Sequence, residues 1–169
     1  GACHQFSREL AKACEEHGVV VRYNVDAEKL IADEHKVSAI TVRPVDGVME
    51  ALEADAFVIS AGCWSSHLLR PLGLADFNRD IPEVRLATIR KSVESRFPGC
   101  ANLDEAEAWT GFRPMTPDGP AIIGRGPRDN LYLNTGHGTF GWTLSAGSAD
   151  VIARVIEGEE PIICLDAFR

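Results

Sequence analysis

The stretch Leu131-Tyr-Leu-Asn-Thr-Gly-His-Gly-Thr-Phe-Gly-Trp142, with its continuation to Ile156, decides the fold of this chain. It begins with a short apolar run, continues with three glycines in the spacing G-x-G-x-x-G, and ends in an apolar helical run. This pattern predicts a strand, a glycine turn and a helix. Glycine lets backbone approach a ligand closely, and the N-terminus of a helix favours negative charge. The turn is therefore a candidate cradle for an anionic group or an electron-rich heterocycle.

Spacing alone leaves a second interpretation open, in which the glycines only make a tight strand-to-helix turn. A dinucleotide fingerprint needs a second strand after the helix and an acidic residue about 20 positions further on. Here Gly158 is expected to end the helix, and the sequence runs only to Arg169. We therefore expect no complete βαβ unit after the turn.

Composition limits the classes of protein that this chain could belong to. Its 169 residues suggest one domain or two small ones, and a hydrophobic content of 45% predicts a globular core. The net charge of −8 argues against nucleic-acid binding as a main role. Five scattered cysteines without a C-x-x-C pair indicate reduced thiols in a cytoplasmic protein, and no metal site is predicted. A peripheral membrane contact stays open, since only a membrane span is excluded by the pattern.

Hydrophobic periodicity predicts alternating helices and strands, which indicates a mixed α/β or α+β fold. The segment from Ala27 to Ala32 fits either a strand or a turn of helix. The helix after Pro82 has an apolar stripe, which we interpret as packing only. The other predicted elements are a helix over residues 3–17, strands over 19–23, 36–43, 48–52, 56–60, 107–115, 121–124 and 131–134, and a last helix ending at Gly158.

A second candidate site follows the strand from Ala56 to Ser60, which is apolar on both faces and so predicted to be buried. A small residue and a glycine, Ala61 and Gly62, come next and open a helix. Ligands of α/β folds bind at such carboxyl ends of strands. A plain strand-to-helix turn is the alternative interpretation.

Two charged or titratable side chains stand out near the glycine motifs. Arg113 lies in Trp109-Thr-Gly-Phe-Arg-Pro114, among apolar neighbours, where a guanidinium could grip a carboxylate with two hydrogen bonds. A structural ion pair with an acidic residue is the alternative, and sequence alone favours it. His137 lies between two glycines and could donate to a ligand or act as a general base, or it could simply shape the turn.

Three motifs together resemble a known family. Trp109 to Gly119, Ala121 to Gly124 and Asn130 to Thr143 are similar to the C-terminal signature of bacterial D-amino-acid dehydrogenases, within the FAD-dependent amino-acid oxidase family that includes glycine and sarcosine oxidases. The opening Gly1-Ala-Cys-His-Gln-Phe6 and the segment Ala61-Gly-Cys-Trp-Ser65 are similar to the middle section of that family. The resemblance covers nearly the whole chain.

The resemblance implies a fold, a reaction and a set of site residues. It implies a partial FAD-binding, Rossmann-like domain with a truncated substrate domain, divided into residues 1–74, 75–120 and 121–169. It implies hydride transfer from the α-carbon of a D-amino acid to FAD, which leads to a 2-oxo acid and ammonia. Arg113 would bind the substrate carboxylate, and His137 would lie at the active site. The residues implied to hold FAD are Val25 near the adenine, then Ala61, Gly62, Trp64, Gly136, Gly138, Thr139, Gly141 and Trp142.

The sequence also departs from the family pattern at two places. The family begins with a strand, a glycine-rich turn and a helix that hold the FAD pyrophosphate, and this sequence has no counterpart of them. Several strands of the substrate domain are expected between the positions of Leu74 and Ala75, which are adjacent here. The chain therefore resembles a piece of the enzyme with an internal deletion. Exposed apolar surface would then favour a homo-oligomer, a complementing N-terminal fragment, or a contact with an electron acceptor at the inner membrane.

Overall fold

The computed structural model describes residues 2–73, 82–108, 111 and 113–168. Two small three-stranded sheets and four α-helices make up the described fold, which is mixed α/β as predicted. The helices are α1 (Cys3–Glu16), α2 (Ser65–Leu69), α3 (Glu83–Arg96) and α4 (Gly141–Glu157). The strands are β1 (Val25–Ala32), β2 (Val37–Pro44), β3 (Glu50–Glu53), β4 (Phe57–Ile59), β5 (Ile122–Arg125) and β6 (Leu131–Thr135).

The first sheet is an antiparallel meander in the order β1-β2-β3. The segment from Ala27 to Ala32, which the sequence left undecided, is strand. Val37, Ala39 and Val42 of β2 are buried, while Ser38 and Arg43 are exposed. Ile40 is half-buried and packs against the same apolar cluster as Val37.

The second sheet carries the stretch that opened the sequence analysis. Strand β6 is its centre, with β4 parallel on one side and β5 antiparallel on the other. Leu131, Tyr132 and Leu133 are all buried, because the sheet is covered on both faces at its centre. One face packs against the first sheet and α2 through a shared apolar cluster, and the other packs against α4 and the C-terminal segment. Gly158 ends α4 in the left-handed conformation, as predicted.

A buried asparagine joins the two sheets. The side-chain oxygen of Asn130 accepts a hydrogen bond from the Val37 N–H, and its side-chain nitrogen donates to the Val37 carbonyl, both at 2.8 Å. Asn130 is only 7% exposed. Nearby, the Asp129 N–H donates to the His35 carbonyl at 2.8 Å. These bonds fix the start of β6 against the turn between β1 and β2, since each partner can form its bonds only at this spacing.

Several predicted elements turn out differently. Residues 19–23 were predicted to be a strand but lie outside any sheet, and Val20 is 83% exposed. A β-branched run becomes a strand only where a neighbour completes its hydrogen bonds, and none of the described strands does so. Likewise β4 is covered on one face only, since Val58 is exposed.

The packing role predicted for α3 is also not borne out. Helices α1 and α3 both form as predicted, but neither has a buried residue, and Ile89 and Phe97 of the α3 region are exposed. An apolar stripe shows which face of a helix could pack, and it does not supply the surface to pack against. The strand predicted over residues 107–115 includes Trp109, Thr110 and Phe112, which lie outside the described residues. Near the end of this segment, Met115 forms an isolated antiparallel β-bridge with His137.

Candidate functional site

The two glycine segments leave the second sheet at the same edge. Strands β4 and β6 run parallel, with Ile59 opposite Leu133. The chain therefore continues side by side into Ala61–Gly62 after β4 and into Gly136–Gly138 after β6. Carboxyl ends of neighbouring parallel strands are the usual place for a ligand in α/β folds. The fold thus brings together two sets of predicted cofactor residues that are far apart in sequence.

The glycine turn after β6 depends on backbone conformations that glycine adopts easily. Gly136 and Gly138 have φ values of +79° and +56°. A Cβ on Gly136 would lie 2.7 Å from Cγ2 of Thr116, so a side chain has no room there. Thr139 is exposed, and Gly141 begins α4. The turn is therefore a backbone surface beside the N-terminus of a long helix.

The N-terminus of helix α4 has no side-chain cap within the described residues. Its first turn contains no acidic residue. The early N–H groups of a helix lack intrahelical partners and carry partial positive charge. The start of α4 can therefore stabilise negative charge on a bound group.

Backbone bonds bring the Arg113 segment against this turn. Met115 pairs with His137 in an isolated antiparallel bridge, and the Gly138 N–H donates to the Pro114 carbonyl at 2.8 Å. Arg113 is exposed, and no ion pair joins it to any acidic residue in the part of the chain that the structure describes. The described contacts thus do not support the structural ion pair that sequence alone favoured.

Two polar atoms beside the turn are buried and have no hydrogen-bond partner among the described residues. They are the side-chain oxygen of Asn134 and Nε2 of His137. Buried polar atoms of native proteins nearly always have a partner, because an unpaired one costs free energy. They flank Gly136 in the sequence, so the turn has two polar atoms whose hydrogen-bonding capacity is unused within the described part of the chain. The sequence analysis missed Asn134, although a polar residue near the end of a buried strand could have drawn attention to it.

Burial also lowers the pKa of His137 from its ordinary value of 6.5. Desolvation disfavours the charged imidazolium, so the ring is neutral near pH 7. A neutral imidazole keeps one donor and one acceptor nitrogen. His137 can therefore exchange hydrogen bonds with a ligand without placing a positive charge in the turn.

The lowered pKa gives a pH dependence of stability. Above pH 6.5 the imidazole is neutral in both the folded and the unfolded chain, so it has no effect. As the pH falls below 6.5 the unfolded chain binds the proton first, and the free energy of unfolding decreases until the folded-state pKa is reached. Urea unfolding of the wild type and of His137→Gln between pH 5 and 8 should show this extra decrease in the wild type alone. Parallel pH curves would contradict it.

The segment after β4 lines a cavity of about 670 Å³. Ala61 and Trp64 form one side of it, and Asp26 and Ala27 of β1 form the opposite side. Val25 directly precedes Asp26 at the start of β1 and is half-buried. Two of the predicted cofactor residues, Ala61 and Trp64, therefore line this cavity, and Val25 is the neighbour in sequence of a third lining residue. His67 and Leu68, which also line it, carried no signal in the sequence.

The remaining predicted cofactor residues sit close to these two places. Gly62 has φ +58°, and a Cβ there would meet nothing within 4 Å. The indole of Trp142 packs edge-on against Phe6 of α1, with ring centroids 5.5 Å apart. In the described ranges, no group of His, Cys, Asp and Glu side chains is arranged to hold a metal ion. Nor does any helix in those ranges combine the length and apolar character that a membrane span requires.

Comparison with known proteins agrees with the geometry. Residues 72–155 match the family model of the FAD dependent oxidoreductases, DAO. A D-amino acid dehydrogenase of Bradyrhizobium diazoefficiens is 32% identical over 219 residues, which cover 99% of this chain and 51% of that protein. A D-amino acid dehydrogenase of Vibrio cholerae is 32% identical over 223 residues, covering 100% of this chain and 52% of that protein. The chain thus spans about half the length of the curated relatives it matches.

The length of these matches bears on the expected internal deletion. The first match runs over 219 residues, whereas this chain has 169. The relative therefore has residues within the matched span that this chain lacks. The predicted junction, Leu74 and Ala75, lies outside the described residues, so its position stays a prediction.

Solved structures show the same fold. Glycine oxidase from Geobacillus kaustophilus superimposes with a TM-score of 0.62 at 19% identity, over 94% of this chain and 55% of that one. L-amino acid deaminase from Proteus vulgaris, with its specific insertion sequence deleted, gives a TM-score of 0.62 at 19% identity, over 94% of this chain and 52% of the other. With its motifs, its fold and its relatives in agreement, the chain belongs to the family of FAD dependent oxidoreductases.

Proposed function

We propose that this chain is the flavin-facing part of a D-amino-acid dehydrogenase. The observation that carries the proposal is the joining of the Arg113 segment to the glycine turn, through the bridge between Met115 and His137. It brings the backbone next to Arg113, whose side chain forms no ion pair within the described residues, against a turn that has two buried polar atoms without a hydrogen-bond partner in those residues and that leads into the N-terminus of α4. The guanidinium fits a substrate carboxylate, and the helix N-terminus fits an electron-rich ring.

The residues present also fit the cofactor. The backbone of the turn from Gly136 through Gly138 to Gly141 would face a flat ring, and the start of α4 would stabilise negative charge on it. Thr139 and Trp142 would flank that ring. Ala61, Gly62 and Trp64 would contact FAD along its length, and Val25 would lie near the adenine. When bound, FAD supplies the hydride acceptor for oxidation of a D-amino acid to an imino acid, which water hydrolyses to a 2-oxo acid and ammonia.

The protein side chains then have separate tasks. Arg113 binds the carboxylate of the amino acid with two hydrogen bonds and so orients the α-carbon. His137, neutral because of its burial, offers Nε2 to the bound molecules without repelling the guanidinium. Asn134 offers its side-chain oxygen from the other side of Gly136.

Flavin uptake and the substitution Arg113→Ala test the proposal together. Purified chain mixed with FAD should retain the flavin absorbance through gel filtration, and D-alanine should bleach it. Arg113→Ala should retain the flavin while the D-alanine concentration for half-maximal bleaching rises roughly 10- to 100-fold, because charged hydrogen bonds are lost. Arg90→Ala, on the exposed face of α3, is the matched control and should behave as the wild type.

Other outcomes would support other functions. A folded chain that takes up no FAD would be a non-catalytic α/β module, which the exposed apolar residues of α1 and α3 also suit. An FAD-bound chain that consumes oxygen with glycine or sarcosine, in place of reducing a dye with D-alanine, would be a relative of the glycine oxidases. Unchanged bleaching in Arg113→Ala would remove that residue from the site.

A further inference from the structure

Two buried hydroxyl groups lie between the glycine segments. Oγ1 of Thr135 is 3.0 Å from Oγ of Ser65 and 3.2 Å from the carbonyl oxygen of Gly62. The two residues are 8% and 3% exposed. Neither residue drew attention in the sequence, and neither belongs to the set of residues proposed to contact FAD or substrate.

The protons of this pair can be placed by elimination. The Gly62 carbonyl can only accept a hydrogen bond, and each hydroxyl has one proton. If Thr135 donates to the Gly62 carbonyl, its oxygen is free to accept from the Ser65 hydroxyl. Both protons and the carbonyl are then used, which is the arrangement that a buried polar group requires.

The pair links the end of β6 to the start of α2. Thr135 is the last residue of β6 and directly precedes Gly136, while Ser65 is the first residue of α2 and follows the Gly62–Trp64 turn. The ladder between β4 and β6 has its last pair at Ile59 and Leu133. Beyond that pair, the Thr135 hydroxyl joins the end of β6 to the Gly62 carbonyl and to the Ser65 hydroxyl.

We propose that Ser65 and Thr135 are positioning residues that set the separation of the two glycine turns, and through it the shape of the FAD site. Only the part that concerns the shape of the FAD site rests on the proposed function. The two turns are implied to contact different parts of one cofactor, so a change in their separation would weaken both contacts at once. The hydroxyl pair acts through backbone and touches no substrate atom.

Thr135→Val is the direct test, because valine keeps the branched shape and removes only the hydroxyl. Amide hydrogen exchange of the chain without FAD should become about tenfold faster in residues 62–65 and 136–138 together, as expected for the loss of a buried hydrogen bond. Affinity for FAD, measured by calorimetry, should fall about tenfold. Thr135→Ser keeps the hydroxyl and should restore most of both.

Ser148→Ala is the matched control. Ser148 is also buried and its hydroxyl donates to the Ser145 carbonyl within α4, away from the two turns. Its loss should leave both the exchange of the turns and the FAD affinity unchanged. Thr135→Val with normal exchange in the Gly62 turn, or with changed exchange but full FAD affinity, would overturn the proposal. A wild-type chain without affinity for FAD would instead refute the proposed function, and the exchange data would still decide whether the pair sets the turns.

Discussion

Asn130→Leu is expected to lower the free energy of unfolding by about 2–6 kcal/mol, since the two Val37 backbone groups left without a partner cost about 1–3 kcal/mol each. Leucine has nearly the shape of asparagine but neither donates nor accepts. Val37 is buried, so water cannot easily replace the lost bonds. Domains of this size are stable by only about 5–15 kcal/mol. The variant should therefore unfold at a much lower urea concentration than the wild type.

Two further variants make this result specific. Asn130→Asp can still accept from the Val37 N–H but cannot donate to its carbonyl when ionised, so we expect it to fall between the wild type and the leucine variant. Asn102→Ala removes an exposed asparagine whose side-chain oxygen accepts from the Asp104 N–H at 3.2 Å, and it should cost little. Equal urea midpoints for Asn130→Leu and Asn102→Ala would show that the two sheets do not depend on this side chain.

Gly136→Ala should be the most damaging substitution in the glycine turn. The added Cβ would lie 2.7 Å from Cγ2 of Thr116, at a φ of +79° that residues with a side chain rarely adopt. Thr116 cannot turn away freely, because its hydroxyl donates to the Pro120 carbonyl at 2.6 Å and accepts from the Gly119 N–H at 3.1 Å. Strain and overpacking together should cost about 2–5 kcal/mol. Thermal unfolding and flavin retention should both fall sharply.

Gly138→Ala separates the cost of backbone strain from the cost of the contact with Thr116. Gly138 also has positive φ, but its added Cβ would meet only Cγ of Met115 at 3.6 Å, an ordinary contact. It should therefore show the backbone cost alone, about 1–2 kcal/mol. Thr116→Ser removes Cγ2 and keeps the hydroxyl, so adding it to Gly136→Ala should recover the difference. If the double variant is no more stable than Gly136→Ala, the contact with Thr116 is not the cause.

The elements of the fold that rest on local pattern could be predicted from sequence. Strand β6, the glycine turn and α4 follow one another in a single stretch, where hydrophobic period and glycine spacing determine the structure. The end of α4 at Gly158 was predicted for the same reason. In contrast, residues 19–23 and the face of α3 needed a partner surface, and no local pattern shows whether one is present.

For the candidate site, the sequence offered residues as predictions but gave no information on their contacts. Motifs pointed to Arg113 and His137, but the contact between their segments is visible only in the structure, through the bridge between Met115 and His137 and the bond from the Gly138 N–H to the Pro114 carbonyl. Ser65 and Thr135 are common hydroxyl residues in the sequence, and their importance comes from a hydrogen bond between positions 70 residues apart. Long-range contacts of this kind depend on the packing of whole sheets, so the sequence gives no direct sign of them.

The placement of the tryptophans gives the chain its own optical reporters. Of three tryptophans, Trp64 borders the cavity beside β1 and Trp142 lies in the first turn of α4, each more than half exposed. Indole emission overlaps the near-ultraviolet absorption of flavins and is quenched when the two rings come close. The two indoles lie at different ends of the proposed site. Replacing one tryptophan at a time by phenylalanine and measuring the quenching of the remaining indole fluorescence would therefore report which end a flavin reaches first.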